Sequence, residues 1–278
     1  MGASRPGPAA SVKIRPLRTP ADLEACVAIQ RRVWNRSDLE ITPPHQLRVS
    51  VHMGGILLGA FVDGVAAGYV YSYPAVYGGR NIQHSHHLAV LSEFQGFGLG
   101  KTLKWAQRDE ALARGTNLIT WTYDPLQARN ANLNLHTLGA VGRTYLDDFY
   151  GSVPSLTLEP GVATDRLLVE WLLSTKRVSD LAASSRARLD PEAFPRALAQ
   201  RPVGVYPVIT PRRPDFARTE PALLVEIPRA IRDLKGRGGL IAAWQKAVRA
   251  VFGHYFKAGY VLEDFIFGER AFYVLRRS

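Results

Sequence analysis

The 278-residue chain is short of several things, and each shortage removes a class of function. It holds a single cysteine, Cys26, so neither an intrachain disulfide nor a zinc site built on several cysteines can form. Cys26 falls in the apolar stripe of a helix predicted over 19–34, where it reads as a small buried hydrophobe rather than a nucleophile. No apolar run approaches the roughly 20 residues needed to cross a bilayer. The opening MGASRPGPAASVK lacks the apolar segment of a secretory signal. The expectation is a cytoplasmic protein with a flexible tail over 1–12 and no membrane partner. Charge of one sign is not gathered anywhere. Lys and Arg number 35 against 24 Asp and Glu, a net +11, but the arginines are scattered. The densest patch, PRRPDFAR (211–218), lies in a proline-broken loop. The surplus favours anionic partners in general; a phosphate-bearing cofactor or an acidic metabolite accounts for it, and nucleic acid is disfavoured.

What is present is a strong alternation of strand and helix signals. Thr19 as N-cap and Pro20 at the first helical position open the 19–34 helix, with Leu23, Cys26, Val27, Val33 and Trp34 on one face. A weaker helix comes after Pro43 and Pro44. GILLGAFVDGVAAGYVYSYP (55–74) reads as two strands joined by an Asp63-Gly64 hairpin turn. IQHSHHLAV (82–90) is a third strand, leading to a helix over about 99–114 with Leu103, Ala106 and Ala113 inward. NLITWTYD (117–124) is a strand, QARNANLNLHTLG (127–139) a helix closed by Gly139, and AVGRTYLDDFY (140–150) a strand. This order predicts an α/β protein with a mixed sheet covered by helices. Residues 151–162 read as a connection. Beyond it come a strand over 166–173, a proline-interrupted helix over 180–200, and a strand over 222–228. A long helix over 239–259 and a hairpin over 260–278 turning at Gly268 complete the chain. HTLGAVGRTYLDDFYG (136–151) and YFKAGYVLEDFIFG (255–268) share a helix end, a glycine and a strand, so the C-terminal part echoes half of the first.

Two features adjoin in HSHHLAVLSEFQGFGLGK (84–101). Glycines between a strand and a helix let backbone N–H groups point at an anion, helped by the helix dipole. Gly96, Gly98 and Gly100 are spaced G-x-G-x-G, which fails the dinucleotide fingerprint G-x-G-x-x-G. A P-loop is missed because Gln95 stands where its first glycine belongs. In a regular strand His84 and His86 share a face and His87 points the other way. The same-face pair suits two metal ligands, but no third ligand is evident and no metal is expected. A neutral imidazole titrating near pH 7 suits removal of a proton from an ammonium group.

The spacing that remains is Q-x-x-G-x-G at Gln95, Gly98 and Gly100, after the strand HLAV and ahead of a helix. Together with the downstream ITWTYDPLQARNANLNLHTLGAV, it resembles the acyl-CoA loop of the GNAT superfamily of N-acetyltransferases, over residues 13–150. The resemblance implies a GNAT acyl-CoA N-acyltransferase fold as the catalytic domain, with 151–278 an α/β extension contributing to the acceptor site. It implies that main chain near Leu88, Val90 and a bulge after them pairs with the pantetheine arm. Gln95, Gly96, Phe97, Gly98, Leu99, Gly100 and Lys101 would hold the pyrophosphate, Lys101 and Lys104 could meet phosphate charge, and Asn130 would touch the cofactor. HSHHLAV resembles the H-x-H-x-L-A-V strand of arylalkylamine N-acetyltransferases, which implies catalytic roles for His86, as first choice of base, and His84. The tyrosine that many such enzymes carry four residues before the helix-ending glycine is Leu135 here. Tyr145, Tyr150, Tyr123 or His136 could substitute as general acid, or none is needed. SHHLAV, TWTYDPLQARNANLN, LGAV and TDRLLVEW together resemble a longer branch of the superfamily associated with N-succinylamino acid metabolism. Acetyl-CoA or succinyl-CoA is then the expected donor, and a small-molecule amine, an amino acid above all, the acceptor. Arg166, Glu170, Arg212 and Arg213 are its candidate contacts. The rival reading is a non-catalytic CoA-binding module or a basic nucleic-acid binder. Acceptor identity and stereochemistry, and whether the chain forms a homodimer, stay open.

Overall fold

The computed structural model describes residues 11–35, 37–151, 159, 161–203 and 208–277. Most of the expected tail and of the 151–162 connection therefore lies outside the described residues. The chain divides into two compact units, Met1–Trp121 with Leu172–Ser174, and Thr122–Trp171 with Thr175–Ser278.

The first unit opens with a strand absent from the sequence reading, β1 (Val12–Pro16), whose apolar alternation is only Val12 and Ile14. Next in the chain are α1 (Pro20–Trp34), α2 (Pro44–His52), β2 (Ile56–Val62), β3 (Val65–Tyr77), β4 (Arg80–Val90), α3 (Leu99–Ala113) and β5 (Leu118–Tyr123). The strands lie in the order β1-β2-β3-β4-β5, antiparallel as far as β4, with β4 and β5 parallel. Helix α1 starts at a capping box. Thr19 Oγ1 accepts from the Asp22 amide, and Asp22 Oδ2 accepts from the amides of Arg18 and Thr19, both at 2.9 Å. The β2–β3 turn places Asp63 (φ 48°) and Gly64 (φ 81°) in the left-handed region that a two-residue hairpin of matching twist requires. Leu23, Cys26 and Ile29 of α1 pack with Leu47 of α2, Tyr69 and Tyr71 of β3. Burial pushes the Cys26 thiol up to about 12, consistent with an inert core residue.

The second unit contains α4 (Ala128–Ala131), which runs on as a π-helix over Asn132–Thr137, then β6 (Val141–Leu146) and β7 (Arg166–Leu172). Next come α5 (Lys176–Ala183), β8 (Arg196–Leu198), β9 (Gln200–Val203), β10 (Val208–Pro211), β11 (Ala222–Ile227), α6 (Gly238–Lys257), β12 (Tyr260–Phe267) and β13 (Ala271–Arg277). The helix predicted over 180–200 is corrected. It ends at Ala183, and Pro191 opens a single 3-10 turn before β8; no helix continues across Pro191 and Pro195, because proline removes the amide a helix interior needs. The strand order is β7-β6-β12-β13-β11-β8, with β8 and β11 parallel and the rest antiparallel.

Residues 122–171 and 175–278 share one core. Tyr123 OH donates to Tyr273 OH (3.2 Å), which donates to the Pro125 carbonyl (2.7 Å). The buried Asp165 carboxylate accepts from Tyr145 OH (2.6 Å), from the Asp148 amide (3.0 Å) and from Arg249 (2.7 and 3.1 Å). The echo seen in sequence is structural as well. Gly139 (φ 75°) ends the helix before β6 and Gly259 (φ 84°) the helix before β12. Each strand begins an antiparallel pair, and β6 and β12 meet at Gly142 and Leu262.

Candidate active site

Strand β4 is irregular where it matters. Tyr71 pairs with His87 and Ser72 with Ser85, so His86 is an extra residue, a β-bulge. The irregularity therefore falls at His86, not after Val90. It also breaks the alternation that had set His87 apart from His84 and His86. All three imidazoles gather around Tyr71 and Tyr73: His84 lies 5.4 Å from Tyr73, His86 5.8 Å from Tyr73, and His87 5.8 Å from Tyr71. His86 stacks on His87 at 4.4 Å. His87 is buried, its Nδ1 2.9 Å from Tyr69 OH and its ring 4.8 Å from Trp34. His86 is exposed. His84 is half-buried, and its Nδ1 bonds to Thr120 Oγ1 at 3.1 Å.

Pairing between β4 and β5 is confined to Gln83–Ile119 and His84–Thr120. Past that point, among the described residues of this unit, Leu88, Ala89 and Val90 of β4 have no ladder partner on β5. Leu88 and Val90 on that stretch are half-buried. The strand ends in the glycine turn. Gly96 (φ 91°) and Gly98 (φ 75°) occupy the left-handed region, and Gly98 is the N-cap of α3. Helical geometry leaves the amides of Leu99, Gly100 and Lys101 without intrahelical partners, and no acidic side chain stands in that first turn. Gln95, Phe97 and Lys101 are exposed, while the Leu99 side chain is buried. The Gln95 side chain is tied to the Val90 carbonyl (3.1 Å). A Cβ at Gly96 or Gly98 would meet nothing within 4 Å, and one at Gly100 only Leu88 Cδ2 at 3.8 Å. The turn is a cradle of backbone donors shaped for an anion.

These features identify the segment. The acetyltransferase (GNAT) family model matches residues 23–139. Residues 23–139 are a GNAT acetyltransferase domain.

No curated protein matches the sequence. Among solved structures, the chain aligns with ribosomal-protein-S18-alanine N-acetyltransferase from Escherichia coli at 18% identity and TM-score 0.48, covering 59% of this chain and 96% of that one. Ribosomal-protein-alanine N-acetyltransferase from Brucella melitensis aligns at 22% identity and TM-score 0.48, covering 58% and 99%. A GNAT family acetyltransferase from Elizabethkingia anophelis, solved with acetyl-CoA bound, aligns at 18% identity and TM-score 0.44, covering 58% and 97%.

Beneath the histidine strand of the GNAT domain lies a group that pattern reasoning misplaced. The inward stripe of α3 is Leu99, Leu103, Lys104, Gln107 and Ala111, whereas Ala113 is exposed. Lys104 therefore does not reach out toward phosphate. It is 2% exposed, and its Nζ donates to Gln107 Oε1 (2.7 Å) and Ser85 Oγ (3.1 Å) while sitting 3.9 Å from the Trp121 ring centroid. Burial pushes the Lys104 ammonium well below its ordinary value. Burial, and then the Lys104 charge, lower His84 in turn.

The remaining candidates belong to the second unit. Asn130 is exposed on α4. Leu135, in the tyrosine slot, is fully buried. Of the substitutes, Tyr123 and Tyr145 are committed to the core bonds described above, and burial raises both phenols. His136 Nδ1 lies 2.9 Å from Asp264 Oδ1. Tyr150 is 39% exposed, with its hydroxyl 3.3 Å from Thr122 Oγ1. Arg166 sets its guanidinium 5.2 Å from the Tyr150 ring, and burial raises the nearby Asp124 carboxyl against the pull of Arg166. Glu170 pairs within β7 opposite Val141, and Arg212 and Arg213 are exposed.

Proposed function

We propose that the protein is an acyl-CoA-dependent N-acyltransferase acting on the primary amine of a small molecule, an amino acid above all. The observation that carries this reading is the edge of β4 at Leu88–Val90, which joins the bulge at His86 to the amide cradle at the start of α3. One end of that edge suits a pyrophosphate and the other presents imidazoles. Leu88 and Val90 would line the pantetheine arm, with Gln95 through Lys101 holding the pyrophosphate by main-chain donors and Asn130 as a further cofactor contact.

Acyl-CoA supplies the acyl group activated as a thioester. His86 takes a proton from the acceptor ammonium and leaves the free amine, whose lone pair forms the amide bond as the carbon–sulfur bond breaks. His84 relays the proton onward. The departing thiolate needs no strong acid, since a thiol ionises near pH 8.5. Tyr150, exposed, is the tyrosine best able to supply a proton if one is used. Acceptor recognition is assigned to the second unit, where Asp124 suits an ammonium and Arg166 a carboxylate. The basic balance of the chain suits an acidic acceptor, or a succinyl as well as an acetyl donor.

A thiol-release screen crossing acetyl-CoA and succinyl-CoA with D- and L-amino acids tests the reading. Turnover with at least one amino acid supports it. Binding of CoA without turnover on any amine would leave a non-catalytic CoA-binding module, and no CoA binding at all would overturn the assignment.

A further inference from the structure

Of the three strand histidines, His87 has no part in the transfer just described, and it is the least exposed, at 3%. Its Nδ1 lies 2.9 Å from the hydroxyl of Tyr69, itself fully buried on β3. The Tyr69 ring meets it edge-on at 5.9 Å. Trp34, at the end of α1, lies 4.8 Å away, and Tyr71, its pairing partner on β3, lies 5.8 Å away. A buried ring bonded through one nitrogen and bordered by aromatics from a helix and a strand is held rigidly.

His86 lies against that ring. The two imidazole centroids are 4.4 Å apart with their planes 30° from parallel, a stacked geometry. Consecutive residues of a regular strand point to opposite faces. The bulge at His86 cancels that alternation and brings the two rings together. Tyr73 and Tyr71 border His86 at 5.8 and 6.2 Å, the latter edge-on. An exposed side chain has several staggered rotamers to choose from. A general base has to place one nitrogen within hydrogen-bond reach of the proton it removes. The stack selects among those rotamers.

We infer that His87 is a positioning residue, a buried platform held by Tyr69 and Trp34 on which the His86 imidazole stacks in the orientation that proton removal needs. This deepens the acyl-transfer reading, on which it rests, by assigning the third histidine a duty. His87 carries no proton in the reaction. It contributes a flat face held still, which a phenyl ring can supply and which no proton carrier could lend to phenylalanine.

The contact is read by NMR on the full-length protein without acyl-CoA, with ring signals assigned through His86→Gln and His87→Ala. Wild type is expected to show nuclear Overhauser cross-peaks between the His86 and His87 ring protons. In turnover, His87→Ala should lower kcat by about tenfold to a hundredfold, the scale of a small misplacement of a reacting group. KM for acyl-CoA should change by less than about twofold, because the cradle is untouched. Tyr69→Phe should lower kcat less. The double variant Tyr69→Phe/His87→Phe restores a flat ring and orphans neither hydroxyl nor imidazole nitrogen, so kcat should recover to within about threefold of wild type. A merely structural loss would move stability without this split between kcat and KM. Missing ring cross-peaks in wild type, a folded His87→Ala of full kcat, or a double variant no better than His87→Ala overturns the inference. Should His87→Ala fail to fold, the double variant is compared with Tyr69→Phe: recovery above it supports the platform, and a further fall overturns it. Failure of the transfer reading is distinct, since it appears as wild-type protein without turnover, whereas the ring contact is measured without donor or acceptor.

Discussion

Two parallel strand pairs among the described residues, β4 with β5 and β8 with β11, part ways beyond the first strand of each. In the first unit, β4 outruns its two paired positions on β5, leaves Leu88–Val90 without a ladder partner there, and ends in a glycine turn that feeds α3. In the second unit, β8 is three residues long and leads into the β9–β10 hairpin rather than a helix. The fully buried Glu226 of β11 accepts the Gln200 amide at 2.7 Å and two bonds from Arg270 at 2.5 Å. Where the first pair leaves backbone donors for an anion, the second supplies a carboxylate of its own. The echo thus preserves the frame of strand, helix and antiparallel pair without the cradle, and the chain should bind one acyl-CoA.

The largest expected effect comes from filling the cradle. Gly100 has an ordinary backbone conformation, and its Cβ would meet only Leu88 Cδ2 at 3.8 Å. Gly100→Val should therefore fold normally by circular dichroism while weakening CoA binding by about 100-fold or more, roughly 2.7 kcal/mol. Gly98→Val should abolish binding too, but its positive φ adds backbone strain, so it is the less discriminating variant. Calorimetry on the wild type should give one site per chain. A second site, or undiminished affinity in Gly100→Val, breaks the contrast between the two strand pairs.

Next in size is the base. His86→Ala should lower turnover by about 10²–10⁴ with CoA affinity nearly unchanged, and the acidic limb of the pH–rate profile should move or vanish. Full activity of this variant across the neutral range would pass the role to His84.

The contrast between the units also marks how far sequence reaches. The hairpin at Asp63-Gly64, the histidine strand, the glycine turn and α3 were legible, because each rests on short-range periodicity or on a turn that only glycine satisfies. The bulge at His86 was not. An inserted residue is invisible to a period of two, and it alone moved His87 beside its neighbours. The burial of Lys104 and Gln107 was not legible either, because buried polar residues are rare a priori. Their partners, Ser85 and Trp121, come from two other strands. Short β1 and β8 carry too few residues to show alternation. The commitment of Tyr123 to Tyr273 spans 150 residues, a pairing no local pattern encodes.

The buried ion pair of the second unit should be structural where the first unit's cradle is functional. Arg270→Ala leaves Glu226, wholly buried, with the Gln200 amide but without its guanidinium. The expected cost is about 3 kcal/mol in urea denaturation, because an uncompensated buried charge remains. Turnover per folded molecule should be unchanged. A variant of wild-type stability with lost turnover would mean that this closed pair takes part in the chemistry.

The smallest effect is read in acid and has the same sign in both units. Arg15 beside Asp22, together with the amides of Arg18 and Thr19, holds the Asp22 carboxyl well below the usual carboxylate range, against the effect of burial. A carboxyl depressed in the folded state contributes stability that is fully present above its unfolded value of about 3.9 and is lost as pH falls below it. Asp22→Asn keeps an oxygen for the two amides but loses the charge facing Arg15. It should cost about 1 kcal/mol at neutral pH, the scale of a cap, and the difference from wild type should shrink as both are titrated below pH about 3.9. In the second unit, burial pushes the Asp264 carboxyl up, but the bonds from His136 and Arg186 outweigh it and leave it lowered as well. Asp264→Asn should therefore show the same sign of pH dependence, since the loss of charge removes what acid would otherwise remove. If the deficit of Asp22→Asn persists undiminished in acid, the capping geometry rather than the Arg15 pair carries the stability of the α1 start.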